Sequence, residues 1–103
     1  MPVVTVMYPS TGSTRFDETY YMQTHIPLVR QRWQTLGLTD VKVLRGVPGP
    51  DGAKPTYIIL ALLTFGSMDQ FKDAAAQHGA EIFADIPKFT DAAPVLQFND
   101  PVG

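Results

Sequence analysis

Four short runs of the chain are rich in β-branched, aliphatic and aromatic residues, and each predicts a strand. They are Val3 to Tyr8, Val41 to Val47, Tyr57 to Phe65 and Val95 to Phe98. Between the first two the rhythm changes. Met22, Ile26, Val29, Trp33 and Leu36 recur at intervals of four, three, four and three, the apolar stripe of a helix. Asp17 suits its N-cap, Glu18 suits the positive end of the helix dipole, and Gly37 is placed to end it. Pro27 lies inside this helix and has no N–H for the carbonyl of Gln23. Either the helix kinks there or two helices meet at Ile26-Pro27.

After the third strand, Ser67-Met68-Asp69-Gln70 reads as a capping box, with Ser at N-cap and Gln at N3. A helix follows with Phe71 and Ala75 inward. His78-Gly79 is expected to break it, leaving a shorter helical turn from Ala80 to Asp85 that Pro87 stops. Pro9 to Thr14 and Pro48 to Pro55 are connections by composition. The order is β-α-β-β-α-β. It predicts an α+β, ferredoxin-like fold in one domain spanning residues 1–103: a four-stranded antiparallel sheet with helices on one face.

That fold creates a difficulty. A sheet with one wet face should alternate apolar and polar residues. Here Tyr57, Ile59, Ala61, Leu63 and Phe65 would lie on one side, and Ile58, Leu60 and Leu62 on the other. The first strand sets Val4, Val6 and Tyr8 against Val3, Thr5 and Met7. Both faces are apolar, and two helices cover only one. The expected partner is a second copy, packed sheet on sheet in a two-fold homodimer.

Composition agrees with a protein short of polar surface. Of 103 residues, 45% are hydrophobic and only 17% charged, against roughly 25% charged in a typical soluble domain. The formal charge is −2, and Arg30 and Arg32 are the densest positive spot, so nucleic-acid binding is not expected. There is no cysteine, which excludes disulfides, zinc-thiolate sites and cysteine nucleophiles. The longest apolar stretch, Tyr57 to Leu63, is far short of a membrane span of about 20 residues. No signal-type run opens the chain, and a cytoplasmic protein is the expectation.

Candidate chemistry centres on His25, one of two histidines. It sits one position before Ile26 of the apolar stripe and two before Pro27, with Tyr21 and Leu28 on its face. A neutral imidazole there can move protons near pH 7, or it can simply bond the carbonyl that Pro27 frees. Asp85 either caps a turn or orients an imidazole. Tyr20 and Tyr21 point about 100° apart on a helix, so the face of His25 takes Tyr21. His78 caps a helix end or contacts substrate. Trp33 is core or binding stack, and Phe83, Phe89 and Phe98 are core or pocket wall. No phosphate loop, metal-ligand spacing or Ser-His-Asp order is present, and neither cofactor nor metal is expected. His25, Tyr21 and Asp85 are the catalytic candidates, His25 and Asp85 with the structural alternatives just given. Tyr20, Trp33, His78 and Phe83 are the substrate-binding ones.

Three segments carry a resemblance. Arg15-Phe16-Asp17-Glu18-Thr19-Tyr20-Tyr21-Met22-Gln23-Thr24-His25-Ile26-Pro27-Leu28-Val29, then Gly46-Val47-Pro48-Gly49-Pro50-Asp51-Gly52, then Ala84-Asp85-Ile86-Pro87-Lys88-Phe89-Thr90-Asp91 together resemble the EthD family. The resemblance implies a dimeric α+β barrel, similar in fold to muconolactone isomerases and cofactor-free monooxygenases. Carried over, the motif histidine is His25, the tyrosines are Tyr20 and Tyr21, and the tail aspartate is Asp85. It implies a small apolar or aromatic ligand held between sheet and helices. The chemistry implied is isomerisation or dehydration through His25, with a non-catalytic binding protein or a cofactor-free monooxygenase as alternatives.

Overall fold

The computed structural model describes residues 1–103. The four strands are β1 (Val3–Pro9), β2 (Leu38–Arg45), β3 (Tyr57–Phe65) and β4 (Val95–Asn99). They pair in the order β2-β3-β1-β4, with every neighbouring pair antiparallel. This is the ferredoxin-like arrangement expected from the element order.

Directly opposite residues share a face, so the pairing lays out rows across the sheet. Val41, Leu63, Val4 and Phe98 form one row, and Val43, Ala61, Val6 and Leu96 the next. Both rows face the helices, where Val4, Ile59, Ala61, Leu63 and Phe65 are buried. On the other face the rows differ in character. Leu44, Leu60, Met7 and Val95 make a wholly apolar row, whereas Asp40, Thr64, Val3 and Asn99 make a mostly polar one. The surplus apolar surface is thus concentrated toward one end of the free face.

β2 begins earlier and ends earlier than the sequence pattern suggests. Gly37, at φ 107, turns the chain directly from the helix into the strand. A side chain there would also collide with Gln70, which lies 2.7 Å from the position of a Cβ. No loop is needed, so Leu38 already pairs with Phe65. Prolines beyond Gly46 then deprive the chain of ladder donors.

The first helical segment departs most from a regular stripe. α1 (Glu18–Tyr20) is capped by Asp17, whose carboxylate accepts from the N–H of Tyr20 at 3.0 Å. A π-helical turn follows over Tyr21–His25, in which the N–H of Ile26 donates to the carbonyl of Tyr21. α2 (Ile26–Trp33) then carries Pro27 in its first turn, where the missing N–H costs least. The wide turn changes which side chains face inward. At about 100° per residue a regular helix would swing Ile26 about 140° away from Tyr21. The extra residue of the π turn brings Tyr21, His25 and Ile26 all into the core. Met22, expected in the stripe, is displaced to the surface and is 43% exposed.

α3 (Met68–Asp85) runs unbroken through His78 and Gly79, contrary to the expected break. A helical glycine costs only about 1 kcal/mol relative to alanine. Burial of Ala74 and Ile82 on either side of Gly79 outweighs that. Ser67 caps this helix, accepting from Gln70 N–H at 3.1 Å. A short turn over Ile86–Lys88 ends it at Pro87. No helix is long and apolar enough to cross a membrane.

Two aromatic clusters stand at opposite ends of the space under the helices. One joins Trp33, Phe65 and Phe71 edge to face, the other Tyr8, Phe16, Tyr21 and Phe89. Trp33 is buried, and its indole N–H donates to the carbonyl of Ala74 at 2.9 Å, pinning α2 to α3. Trp33→Phe would keep most of the ring packing but lose this bond, while the Ala74 carbonyl keeps its place in the ladder of α3. Denaturant unfolding should register a loss of about 0.5–1.5 kcal/mol; unchanged stability would mean the bond contributes nothing.

Candidate functional site

The site forms where the N-terminal helix meets the end of α3. A clamp brings the two together. The segment before α1 bridges to the segment after α3 through Phe16 and Thr90. Asp17 N–H donates to the carbonyl of Phe89 at 2.7 Å, and the Thr90 hydroxyl donates to the carbonyl of Arg15 at 2.6 Å. The backbone N–H of Arg15 also donates to Asp91 Oδ1 at 2.9 Å. Asp85, in the last turn of α3, is thereby held over His25 on the π turn.

His25 Nδ1 and Asp85 Oδ2 are 3.0 Å apart, joining positions 60 residues distant in the chain. Both groups are buried, at 3% and 8% exposure. The second carboxylate oxygen, Oδ1, accepts from the Tyr20 hydroxyl at 2.8 Å, and Lys88 Nζ lies 3.8 Å from it. Tyr21 stacks on the imidazole, with centroids 5.6 Å apart and planes at 19°. Phe89 packs on it at 4.6 Å. His25 therefore does not cap the carbonyl that Pro27 leaves without a donor.

The electrostatics set the protonation pattern. Burial pulls the His25 pKa down, and the hydrogen bond and charge of Asp85 only partly oppose it, so it lies below the ordinary histidine value. Burial pushes Asp85 up, but the bonds from His25 and Tyr20, with the charges of His25 and Lys88, prevail and hold its carboxyl below the usual range. At neutral pH the pair is a neutral imidazole beside a carboxylate. The shared proton then sits on Nδ1, and Nε2 carries the free lone pair.

That lone pair has somewhere to point. A cavity of about 40 Å³ lies between sheet and helices, and His25 is its single non-hydrophobic lining residue among 16. Val4, Val6, Ala61, Ile26, Ile82 and Leu96 supply much of the wall. The cavity is narrow, with room for a few waters. Phe83, 43% exposed on α3, lines its mouth. No side-chain nitrogen or oxygen is sealed away without a partner, so Nε2 is not fully buried, and His25 lines this space.

The geometry rearranges the expected roster. His25, Tyr21 and Asp85 converge, and Tyr21, Trp33 and Phe83 line the cavity with His25. Tyr20 does not line it; adjacent in sequence to Tyr21, it reaches Asp85 from the other side. His78 lies outside the site altogether, half-buried on α3 with Nδ1 3.9 Å from Glu81. The helix runs straight through His78, so no free carbonyls or cavity meet it there. Tyr8, at the end of β1, reads in the sequence only as a strand residue, yet it is buried and lines the cavity beside Tyr21. Its inward parity with Val4 and Val6 is the signal that points to it. No group of three or more His, Cys, Asp or Glu side chains is placed to hold a metal ion.

The EthD domain profile matches residues 11–93. The chain belongs to the EthD family. An EthD-like protein from Ralstonia eutropha JMP134 is 38% identical, with a TM-score of 0.92 over 99% of this chain and 92% of that one. An ethyl tert-butyl ether D (EthD) family protein from Bacillus halodurans C-125 is 22% identical, with a TM-score of 0.77 over 99% of each chain. HapK from Hahella chejuensis shares the fold at 11% identity, with a TM-score of 0.59 over 100% of this chain and 94% of that one. No curated protein matches the sequence. The segments that resemble EthD thus contain the residues that build the Asp85–His25 pair.

The pair makes stability depend on pH with a definite sign. Unfolded histidine takes up its proton near about 6.5, whereas folded His25 does so only at lower pH, so acid favours unfolding across that window. Asp85 acts in the same direction below about 3.9, where its unfolded carboxyl protonates first. Thermal melts should therefore show stability falling as pH drops below about 6.5. In Asp85→Asn the amide must set its NH₂ against one of two donors, costing about 1–3 kcal/mol at neutral pH. A melting temperature that rises on acidification would contradict the assignment.

Proposed function

We propose that this EthD-family protein is a homodimeric enzyme that binds a small apolar or aromatic compound between its sheet and helices and moves a proton on it with His25. One observation carries the reading: a buried histidine whose Nδ1 is tied to a carboxylate and whose other nitrogen opens on an apolar cavity. An apolar cavity with few convergent polar groups suits a small organic ligand. A neutral imidazole held in one tautomer by a carboxylate suits a general base that returns its proton as an acid. The reaction type is isomerisation or dehydration of a carbonyl-bearing compound. Asp85 orients the base, and Tyr20 and Lys88 hold Asp85 in its charged form.

The test is proton exchange at carbon. Small cyclic ketones and lactones are incubated with the protein in D₂O and followed by NMR. Compounds that bind should exchange their acidic C–H, and His25→Ala should slow that exchange about 10²- to 10⁴-fold. Binding with no exchange above background would favour a ligand-carrying accessory protein, a reading that the narrowness of the cavity and its single acid/base pair also support.

The apolar row Leu44-Leu60-Met7-Val95 supports pairing of two copies through their free sheet faces. Leu44 is 44% exposed and Val95 43%, and such a contiguous patch favours a partner. Light scattering should give twice 11.3 kDa. Leu60→Asp, at the centre of the row, should give the single mass with unchanged circular dichroism. A wild-type chain that is monomeric at micromolar concentration would overturn the dimer.

A further inference from the structure

Of the four tyrosine hydroxyls, the one on Tyr20 bonds a buried protein group, Asp85. Tyr8 and Tyr21 are the contrasting pair. Each side chain is 1% exposed, and neither hydroxyl has a protein partner, yet no polar atom is sealed off without one. Neither hydroxyl is therefore fully sealed off, and the side chains of both residues line the cavity that His25 also lines. Their rings are 5.8 Å apart and nearly perpendicular, with Tyr21 stacked on the imidazole. Three side chains that carry polar atoms without a protein partner, those of His25, Tyr8 and Tyr21, thus line one otherwise apolar chamber.

We propose that Tyr8 and Tyr21 are an oxygen-holding pair, and that the ligand is an uncharged ring compound with a carbonyl oxygen beside an acidic C–H. This rests on the cavity being the substrate site. No charged side chain lines the chamber, so it offers nothing to offset the burial of a carboxylate or phosphate. Two O–H donors suit a neutral oxygen on which charge develops. Burial pushes both hydroxyls well above the ordinary tyrosine value, so both stay protonated as donors.

The step balances without a co-reactant. His25 Nε2 takes the proton from the carbon next to the carbonyl. The C–H pair forms a C=C bond, and the carbonyl π pair moves to oxygen, where Tyr8 and Tyr21 stabilise it by hydrogen bonding. Where a C=C adjoins that carbon, the imidazolium returns the proton to the far carbon of the resulting dienolate; the carbonyl re-forms, the double bond shifts, and an isomer results. Where a β-hydroxyl is present, the proton goes to that oxygen, the C–O bond breaks, the carbonyl re-forms and water leaves. Phe83 at the mouth is the side chain that must move for a ring to enter, since the cavity is narrow and Phe83 is its exposed wall.

The probes are 4-nitrophenol, which mimics an enol oxygen, and 4-nitrotoluene, which has the same shape without it. Their affinities are measured calorimetrically with the wild type, Tyr8→Phe and Tyr21→Phe. Because neither hydroxyl bonds the protein, both variants should melt at or slightly above the wild-type temperature. The wild type should prefer 4-nitrophenol by about tenfold or more, and each variant should lose most of that preference while keeping its affinity for 4-nitrotoluene. A preference that survives Tyr8→Phe would overturn the role of Tyr8 and leave the cavity as the substrate site. Equal affinity of the wild type for both probes would overturn oxygen recognition. Binding of neither probe would overturn the cavity reading, and the oxygen-holding pair with it.

Discussion

The hydrogen bond between His25 and Asp85 is the constraint on which the rest of the site depends. It spans 3.0 Å between groups 60 residues apart, and neither is tolerable alone in its surroundings. An unpaired buried carboxylate is costly, and a buried imidazole without a fixed partner has no defined tautomer. Everything around the pair serves to keep it. The Arg15–Asp17 clamp to Phe89–Asp91 holds the two segments together. Tyr20 occupies the second carboxylate oxygen. The π turn rotates His25 inward without giving up Tyr21 or Ile26.

The cavity follows from the same arrangement. Two aromatic clusters prop the helices off the sheet at either end, and small or branched side chains such as Ala61, Ala75 and Val6 leave the middle unfilled. A core that packed fully there would be more stable. Leaving a gap at the one place that His25, Tyr8 and Tyr21 all line makes sense for a site that must admit something. On the opposite face the apolar row from Leu44 to Val95 leaves a second surface incomplete, and the protein's shortage of charge reflects both.

Much of this is legible in the chain itself. Strand parity places Val4, Val6 and Tyr8 against Ile59, Ala61, Leu63 and Phe65, because a period of two leaves little choice once a sheet has one covered face. The caps at Asp17 and Ser67 are legible because short polar side chains at helix starts have a local job. Met22 falls in the wrong place because a π turn is a tertiary compromise that leaves no period in the sequence; Pro27 marks the irregularity but not its form. His78-Gly79 suggests a break because propensity is local, whereas the burial of Ala74 and Ile82 that sustains the helix is not. Residue type alone makes Asp85 a candidate partner for His25, but the contact itself is long-range, and only the clamp at Phe16 and Thr90 brings the two together. Tyr8 escapes a sequence reading because a tyrosine in a strand looks like any inward aromatic until its hydroxyl is found without a partner.

The most direct test is the protonation state of one ring. Long-range ¹H–¹⁵N correlation on ¹⁵N-labelled protein at pH 7 reports each imidazole nitrogen separately. His25 should be neutral with Nδ1 protonated and Nε2 bare, and Asp85→Asn should lose that fixed pattern. An imidazolium at pH 7, or a neutral ring with the proton on Nε2, would contradict the proposed chemistry, because the cavity would then face no base.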